Sequence, residues 1–288
     1  MAAARAHVRF GRKLLRAVPQ HRRARCCSGA DRGRPSGLVA NGGQYPVNEA
    51  WRELGTARAG GTLLIADHAA NAVPADIDLR IAPPLLDNHI AIDIGVAPVA
   101  EQLVAAGAVD SAILGRVSRL VIDLNREADH PGLIPAHSDG HIVTGNMDLP
   151  DNQRTARIVR FFDPYHARID AVIAAAPPAM ILSLHSFTPR LASRDESRPW
   201  DIGVLYNEDQ RLAAAAIAAL AADGWHVGDQ LPYSGKLLNA TMNRHAEARG
   251  IPYVGIEMRQ DHSGTAAGQA RMAASLTKML ERLRNLLA

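Results

Sequence analysis

The side chains best suited to catalysis follow four short apolar segments of this 288-residue chain. The segments end in two imidazoles, an amide, a guanidinium and a carboxylate, in the order His68, Asn125, Arg126, His185 and Glu257. Two histidines and a carboxylate can hold Zn²⁺ with one position open to water. A further carboxylate can accept the proton of that water, and an arginine can bind a substrate carboxylate bidentately. These residue types indicate metal-dependent hydrolysis of a substrate that carries a carboxylate.

Each of these residues, taken alone, also has a structural explanation. A single histidine at a strand end usually caps a loop, and Glu257 beside Arg259 could form a solvated pair worth less than ~1 kcal/mol. In open α/β sheets, however, ligands bind outside the carboxyl ends of the strands. A charged group placed after a buried strand is costly unless it has a partner. The four segments together therefore favour a functional site, although their wide spacing contains no compact zinc motif.

The elements that must position these residues alternate along the chain. Short apolar runs bounded by turn residues predict buried strands at 62–66, 111–114, 120–124, 180–184, 203–206 and 253–256. Helices are predicted at 96–106, 164–176 and 209–223, and apolar residues recur at helical spacing from 276 to 287. This alternation predicts an α/β fold with a largely parallel sheet covered on both faces. Segment 126–151 has little periodicity, and a loop of that length is usually functional or mobile.

Composition excludes several classes of protein. The chain is 47% hydrophobic and 21% charged, and no run approaches the ~20 apolar residues that cross a bilayer. The two cysteines, Cys26 and Cys27, are adjacent and can form neither a disulfide framework nor a four-cysteine zinc site. No glycine-rich phosphate loop and no G-x-S-x-G motif is present, which argues against nucleotide chemistry and a serine hydrolase. Any metal must therefore be held by His, Asp and Glu.

The net charge of +3 comes from the N-terminal segment. Residues 1–36 carry ten Lys and Arg against one acid, whereas residues 37–288 carry 22 basic and 28 acidic residues. The acidic body offers no basic stripe for nucleic acid. The N-terminal segment fits an organelle transit peptide, a translated leader from a mis-assigned start, or an anion-binding arm. We predict that residues 1–40 are a disordered basic leader, and that residues 41–288 form a single α/β domain of a cytoplasmic protein.

Several segments, in this order, resemble the N-formylglutamate amidohydrolase family over about residues 50–275. They are ADHAAN (66–71), HIAIDIG (89–95), DLNR (123–126), the loop from SDG (138–140) to GN (145–146), SLHSF (183–187), YSG (233–235), NRH (243–245) and GIEMRQD (255–261). That family is distantly similar to the zinc carboxypeptidases and aspartoacylases. The resemblance implies a three-layer α/β/α sandwich with a mostly parallel mixed sheet, of the zinc-exopeptidase type.

The resemblance also implies roles for individual residues. The distant relatives hold zinc with a His, an acid and a second His, which match His68 and His185 here. They place a Glu three residues after the first His, where this chain has Asn71, so we assign the acidic ligand to Asp93. The resemblance further implies that Asn125 and Arg126 bind a substrate carboxylate and that Glu257 is the general base. Arg244 is a candidate for binding a second carboxylate.

The implied function is hydrolysis of a small N-acyl amino acid, with N-formyl-L-glutamate giving formate and glutamate. The expected cofactor is Zn²⁺ or another divalent metal, and the expected partner is a small carboxylate substrate, with no nucleic acid or membrane. A monomer or small homo-oligomer is expected. The alternatives are a deacylase or carboxypeptidase-like enzyme for another N-acyl amino acid, and a non-catalytic binding protein on the same fold, which the loss of Glu at Asn71 would explain.

Overall fold

The structure is a computed structural model that describes residues 49–288. The predicted basic leader, residues 1–40, lies outside the described residues. Within residues 49–288, no helix has the length and hydrophobicity that crossing a bilayer requires.

Seven strands form one mixed sheet in the order β1-β3-β2-β6-β9-β7-β8. The four central strands β3, β2, β6 and β9 are parallel, β1 is antiparallel to β3, and β7 is antiparallel to β9. A separate two-stranded hairpin pairs β4 with β5. The strands are β1 Trp51–Gly55, β2 Thr62–Ala66, β3 Ser111–Gly115, β4 His137–Ser138, β5 His141–Ile142, β6 Met180–Phe187, β7 Ile202–Leu205, β8 Val227–Asp229 and β9 Tyr253–Arg259.

Helices cover both faces of this sheet, and each face has its own hydrophobic core. The core on one face contains Val99 of α1, Leu220 of α4 and Leu280 of α7, together with Leu64 of β2. On the other, Ile169 of α3 belongs to the second core. The helices are α1 Val96–Ala105, α2 Asp151–Arg157, α3 Asp163–Ala175, α4 Ala213–Ala222, α5 Ala240–His245, α6 Gln260–Ser263 and α7 Ala266–Leu287. The predicted three-layer α/β/α fold with a mostly parallel mixed sheet is confirmed.

The predicted strand at 120–124 is wrong. This apolar run is buried, but it forms a turn in which the Val121 amide donates to the Ser118 carbonyl at 2.8 Å. A short buried apolar run has no periodicity that separates a strand from a packed turn. The predicted strands at 180–184 and 253–256 are too short, because β6 and β9 continue to Phe187 and Arg259. His185 and Glu257 therefore lie within strands rather than after them.

Two other sequence-based boundaries differ for identifiable reasons. The helix predicted from residue 209 begins at Ala213, because the Asp209 carboxylate accepts the Arg211 amide at 3.0 Å and holds a turn there. The unperiodic segment 126–151 is folded rather than structureless. Its Asn146 side chain donates to the carbonyls of Leu120 and Pro135 at 2.7 and 2.9 Å. This buried amide fixes the hairpin that borders the cleft described below.

Gly95 precedes α1 at a position where a side chain cannot fit. Its φ is +85°, and a Cβ would overlap the carbonyl oxygen of Ser263. Gly107 also has a positive φ, of +69°, but a Cβ there would meet nothing within 4 Å. Substitutions at these two glycines therefore distinguish the cost of backbone strain alone from the cost of strain combined with steric overlap.

We predict that Gly107→Ala costs about 1–2 kcal/mol of unfolding free energy, the usual penalty for an L-residue in this backbone region. Gly95→Ala should cost about 2–5 kcal/mol, because the overlap with Ser263 adds to the same penalty. Urea unfolding of the two variants measures both values. Equal losses would show that the close approach of Gly95 to Ser263 does not constrain the fold.

Candidate active site and metal centre

Three buried side chains converge near the carboxyl ends of the adjacent strands β2 and β6. One potential ligand atom from each of His68, Asp93 and His185 lies within 4.8 Å of the others. His68 follows β2, His185 lies on β6, and Asp93 lies in the segment before α1, where its amide donates to the His68 carbonyl at 3.0 Å. Nδ1 of His185 and Nδ1 of His68 are 2.9 and 3.4 Å from the same Asp93 oxygen, Oδ2. The sequence-predicted ligands are thus brought together.

The Nε2 atom of each histidine ring faces a carboxylate. Nε2 of His68 is 2.7 Å from Oδ1 of Asp123, and Nε2 of His185 is 3.4 Å from Oδ2 of Asp67. Carboxylates placed behind ligand histidines orient the rings and raise their basicity in metal sites. Here they leave both Nδ1 atoms directed at Asp93. This donor set, two neutral imidazoles and one carboxylate, fits a divalent metal of the zinc type.

Arg119 joins two carboxylates of the cluster: Asp93, which lies between the two histidines, and Asp123, which lies behind His68. Its Nη1 donates to Oδ1 of Asp93 and its Nη2 donates to Oδ2 of Asp123, both at 3.1 Å. One oxygen of Asp93 is therefore held by the guanidinium, while the other faces the histidines. Sequence reasoning missed Arg119, since an arginine between two apolar runs carries no signal for this contact.

The electrostatics of the cluster favour ionised acids and protonated histidines. Burial opposes the charge of Asp93, but His68, His185 and Arg119 outweigh it and hold its pKa below the ordinary value. Burial likewise opposes a charge on His185, but Asp67 and Asp93 outweigh it and raise the pKa of that ring well above its usual range. A metal ion must displace a proton from such a ring, so metal affinity should rise with pH.

Glu257 lies beside the cluster with a carboxylate oxygen unused. It pairs with His185 across the parallel strands β6 and β9, so both side chains project from the same face of the sheet. Among the residues that the structure describes, its buried Oε2 has no hydrogen-bond partner. Burial raises the pKa of Glu257 to about 7; the His185 charge opposes this rise and the Asp93 charge reinforces it. A carboxyl group with a pKa near the working pH is suited to proton transfer.

The cluster and Glu257 line a cleft of about 420 Å³ that also contains the predicted carboxylate-binding pair. The Asn125 side-chain oxygen accepts the Thr241 amide at 3.0 Å, which fixes its orientation. The Arg126 side chain is 27% exposed, and its Nε is 3.5 Å from Asp123. Arg126 therefore keeps donors available to a ligand in the cleft.

Two other positions singled out in the sequence lie elsewhere. Asn71 donates to the Leu86 carbonyl and to Asp87, both at 2.9 Å, and does not line the cleft. Arg244, predicted as a second carboxylate site, is exposed on α5 with its guanidinium 5.8 Å from the Phe162 ring centre, and it is not among the residues that line the cleft. The position of Arg244 on the short helix α5 directs its side chain toward Phe162.

The sequence model of one family covers the elements that build this cleft. The model of the N-formylglutamate amidohydrolases matches residues 61–263. The chain belongs to the N-formylglutamate amidohydrolase family. The resemblance found in the sequence motifs is thereby confirmed.

Several solved structures are similar to this chain. A gene product of Agrobacterium tumefaciens is 30% identical, with a TM-score of 0.76 over 82% of this chain and 94% of that chain. An N-formylglutamate amidohydrolase from Ralstonia eutropha JMP134 is 21% identical, with a TM-score of 0.66 over 82% of this chain and 97% of that chain. A metallo-carboxypeptidase from Burkholderia cenocepacia is 12% identical, with a TM-score of 0.38 over 82% of this chain and 61% of that chain. Among curated proteins, no sequence matches this chain significantly.

We predict that His68→Ala and His185→Ala each abolish zinc retention, because each removes one of the three candidate ligands. Asp123→Asn should weaken zinc binding by only about 10–100-fold, the usual effect of losing a group behind a ligand histidine. His137, an exposed histidine that lines the same cleft, provides the control, and His137→Ala should retain full zinc. Elemental analysis of dialysed protein, with circular dichroism to verify folding, gives the result. Full zinc in a folded His68→Ala or His185→Ala variant would remove that residue from the site.

Proposed function

We propose that this family member hydrolyses the amide of a small N-acyl amino acid, with N-formyl-L-glutamate as the preferred substrate and zinc as the metal. The observation that carries the proposal is the buried, unpartnered oxygen of Glu257 next to the His68–Asp93–His185 cluster, in one cleft with Arg126. Membership of an amidohydrolase family supports the same reaction class.

Each residue of the cleft has a defined task in this reaction. His68, Asp93 and His185 hold the metal, and Asp67 and Asp123 keep the imidazoles oriented. When bound by these residues, a divalent metal would supply Lewis-acid chemistry, lowering the pKa of a water ligand toward about 7 and polarising the acyl group of the substrate. Glu257 accepts the proton of the attacking water and returns it to the leaving amine nitrogen. The raised pKa of Glu257 allows both transfers near neutral pH.

Arg126 binds a carboxylate of the substrate and so places its amide beside Glu257. The guanidinium can donate two parallel hydrogen bonds to a carboxylate, which fixes orientation as well as position. Asn125, held by Thr241, supplies its free amide hydrogens next to this site. A substrate whose carboxylate is capped as an amide would lose the charge-assisted part of this contact, which is worth about 1.5–3 kcal/mol.

Glu257→Gln should lower kcat for N-formyl-L-glutamate by about 10²–10⁴-fold, because glutamine keeps the shape of the side chain but cannot accept a proton. Zinc content should be unchanged, and the pH–rate profile should lose the contribution of the Glu257 ionisation to its acid limb. Glu127→Gln is the control, since Glu127 is exposed and does not line the cleft.

Steady-state kinetics with N-formyl, N-acetyl and N-carbamoyl amino acids, on zinc-loaded protein, measure this effect and the acyl preference together. Loss of zinc with activity in Glu257→Gln would make Glu257 a metal ligand. Survival of activity would contradict the proposed mechanism in its central step.

A further inference from the structure

Arg198 is a buried arginine that lines the cleft and has unused donors. Its side chain is 1% exposed. Nη1 donates to the Tyr233 hydroxyl at 3.0 Å and to the Thr188 carbonyl at 3.4 Å, and both acceptors are neutral. Nε is buried without a hydrogen-bond partner. With Nη1 engaged, the edge formed by Nε and Nη2 makes no hydrogen bond within residues 49–288.

The charge of Arg198 is poorly matched by the protein. Of the four arginines that line the cleft, Arg119 has carboxylate contacts at 3.1 Å, Arg126 at 3.5 Å and Arg194 at 2.6 Å. Arg198 has its contact with Glu196 at 3.8 Å, beyond hydrogen-bond distance. Burying a guanidinium without a close anion costs several kcal/mol. An unpaired buried guanidinium destabilises the free protein, so stability does not explain this arrangement. Neutralisation of the guanidinium by an anionic ligand would explain it.

Arg198 is also held in place in a way that suits ligand binding. Its guanidinium stacks over the Tyr233 ring at 5.0 Å from the ring centre, and Tyr233 lines the same cleft. Its backbone carbonyl accepts Nη1 of Arg259 at 3.3 Å, just before β7. A side chain fixed by packing and hydrogen bonds loses little freedom when it binds a ligand, so its donors are pre-organised.

We propose that Arg198 binds the second carboxylate of a dicarboxylic N-acyl amino acid, whose first carboxylate binds Arg126. This assignment rests on the proposed function, and it names an acidic side chain as the feature that the cleft selects. A substrate with a neutral side chain leaves Arg198 buried and unpaired, and sites that leave a buried polar group unpaired reject such analogues strongly. Arg198 is therefore a specificity-determining residue, in the role that the sequence had assigned to Arg244.

The kinetic test compares N-formyl-L-glutamate with N-formyl-L-glutamine, which has nearly the same shape but no side-chain charge. Arg198→Gln should lower kcat/KM for the glutamate substrate by about 10²–10³-fold and change the glutamine substrate less than about threefold. Arg198→Lys should lose part of the preference, because an ammonium lacks the planar fork. Arg190→Gln removes the same charge from an exposed residue of the neighbouring loop and should leave the preference unchanged.

A binding measurement separates this proposal from the proposed hydrolysis. Glutarate contains no amide, and its monoamide contains a primary carboxamide but no N-acyl amino acid, so their affinities for the zinc-loaded protein can be measured by calorimetry without the proposed reaction. Wild type should prefer glutarate at least about tenfold, since hydrogen bonds to a charged group are stronger than those to a neutral amide. Arg198→Gln should abolish that preference, and Arg198→Lys should reduce it.

Zinc content and circular dichroism of each variant show that the cleft is intact. If wild type hydrolyses neither formyl substrate but shows the glutarate preference through Arg198, the proposed hydrolysis fails and the carboxylate site stands. Equal losses on charged and neutral ligands would give Arg198 a structural role. An unchanged preference in Arg198→Gln, or in Arg198→Lys if the glutamine variant does not fold, would overturn the assignment.

Discussion

The parallel pairing of β2, β6 and β9 determines where a reaction centre can form in this protein. Because these neighbouring strands run in the same direction, their carboxyl ends meet at one edge of the sheet. The register places His185 directly opposite Glu257, and His68 follows the adjacent strand. A one-residue slip of β9 would turn Glu257 to the opposite face of the sheet, away from His185. The two hydrophobic cores on either side of the sheet hold this register.

The second constraint is that a buried charge needs a partner of opposite charge. The side chains of the cluster provide such partners for one another. Asp67, Asp93, Asp123 and the two histidines lie in a region with little access to water. Each acid there contacts an imidazole, and Arg119 joins Asp93 to Asp123. Four buried side-chain atoms of residues 49–288 lack a hydrogen-bond partner. Asp67 Oδ2 and His185 Nε2 face each other at 3.4 Å within the cluster, whereas Glu257 Oε2 and Arg198 Nε have no such opposite charge at that distance. The latter two are the groups that we assign to proton transfer and to substrate selection.

The sequence predicted those features that depend on local pattern. Strand β2 has the predicted bounds because its apolar run is short and ends at Asp67 and His68. The proposal of Asp93 as the acidic ligand came from the family resemblance and from Asn71 standing where the relatives have Glu.

Features that depend on long-range packing could not be predicted from the sequence. The buried turn at 120–124 has the composition of a strand. Arg119 and Arg198 gain their partners from segments far away in the chain. Arg244 stands within a family motif, yet the structure places it over Phe162 and outside the residues that line the cleft.

We propose that His68, Asp93 and His185 hold a catalytic zinc ion. Anomalous diffraction at the zinc edge, from crystals of protein loaded with one equivalent of zinc, tests it directly. We predict a single strong peak about 2.0–2.1 Å from Nδ1 of both histidines and about 2.0–2.2 Å from an Asp93 oxygen, with Glu257 outside the coordination sphere. A peak bound by Asp123 in place of Asp93, or one remote from the two histidines, would contradict the account.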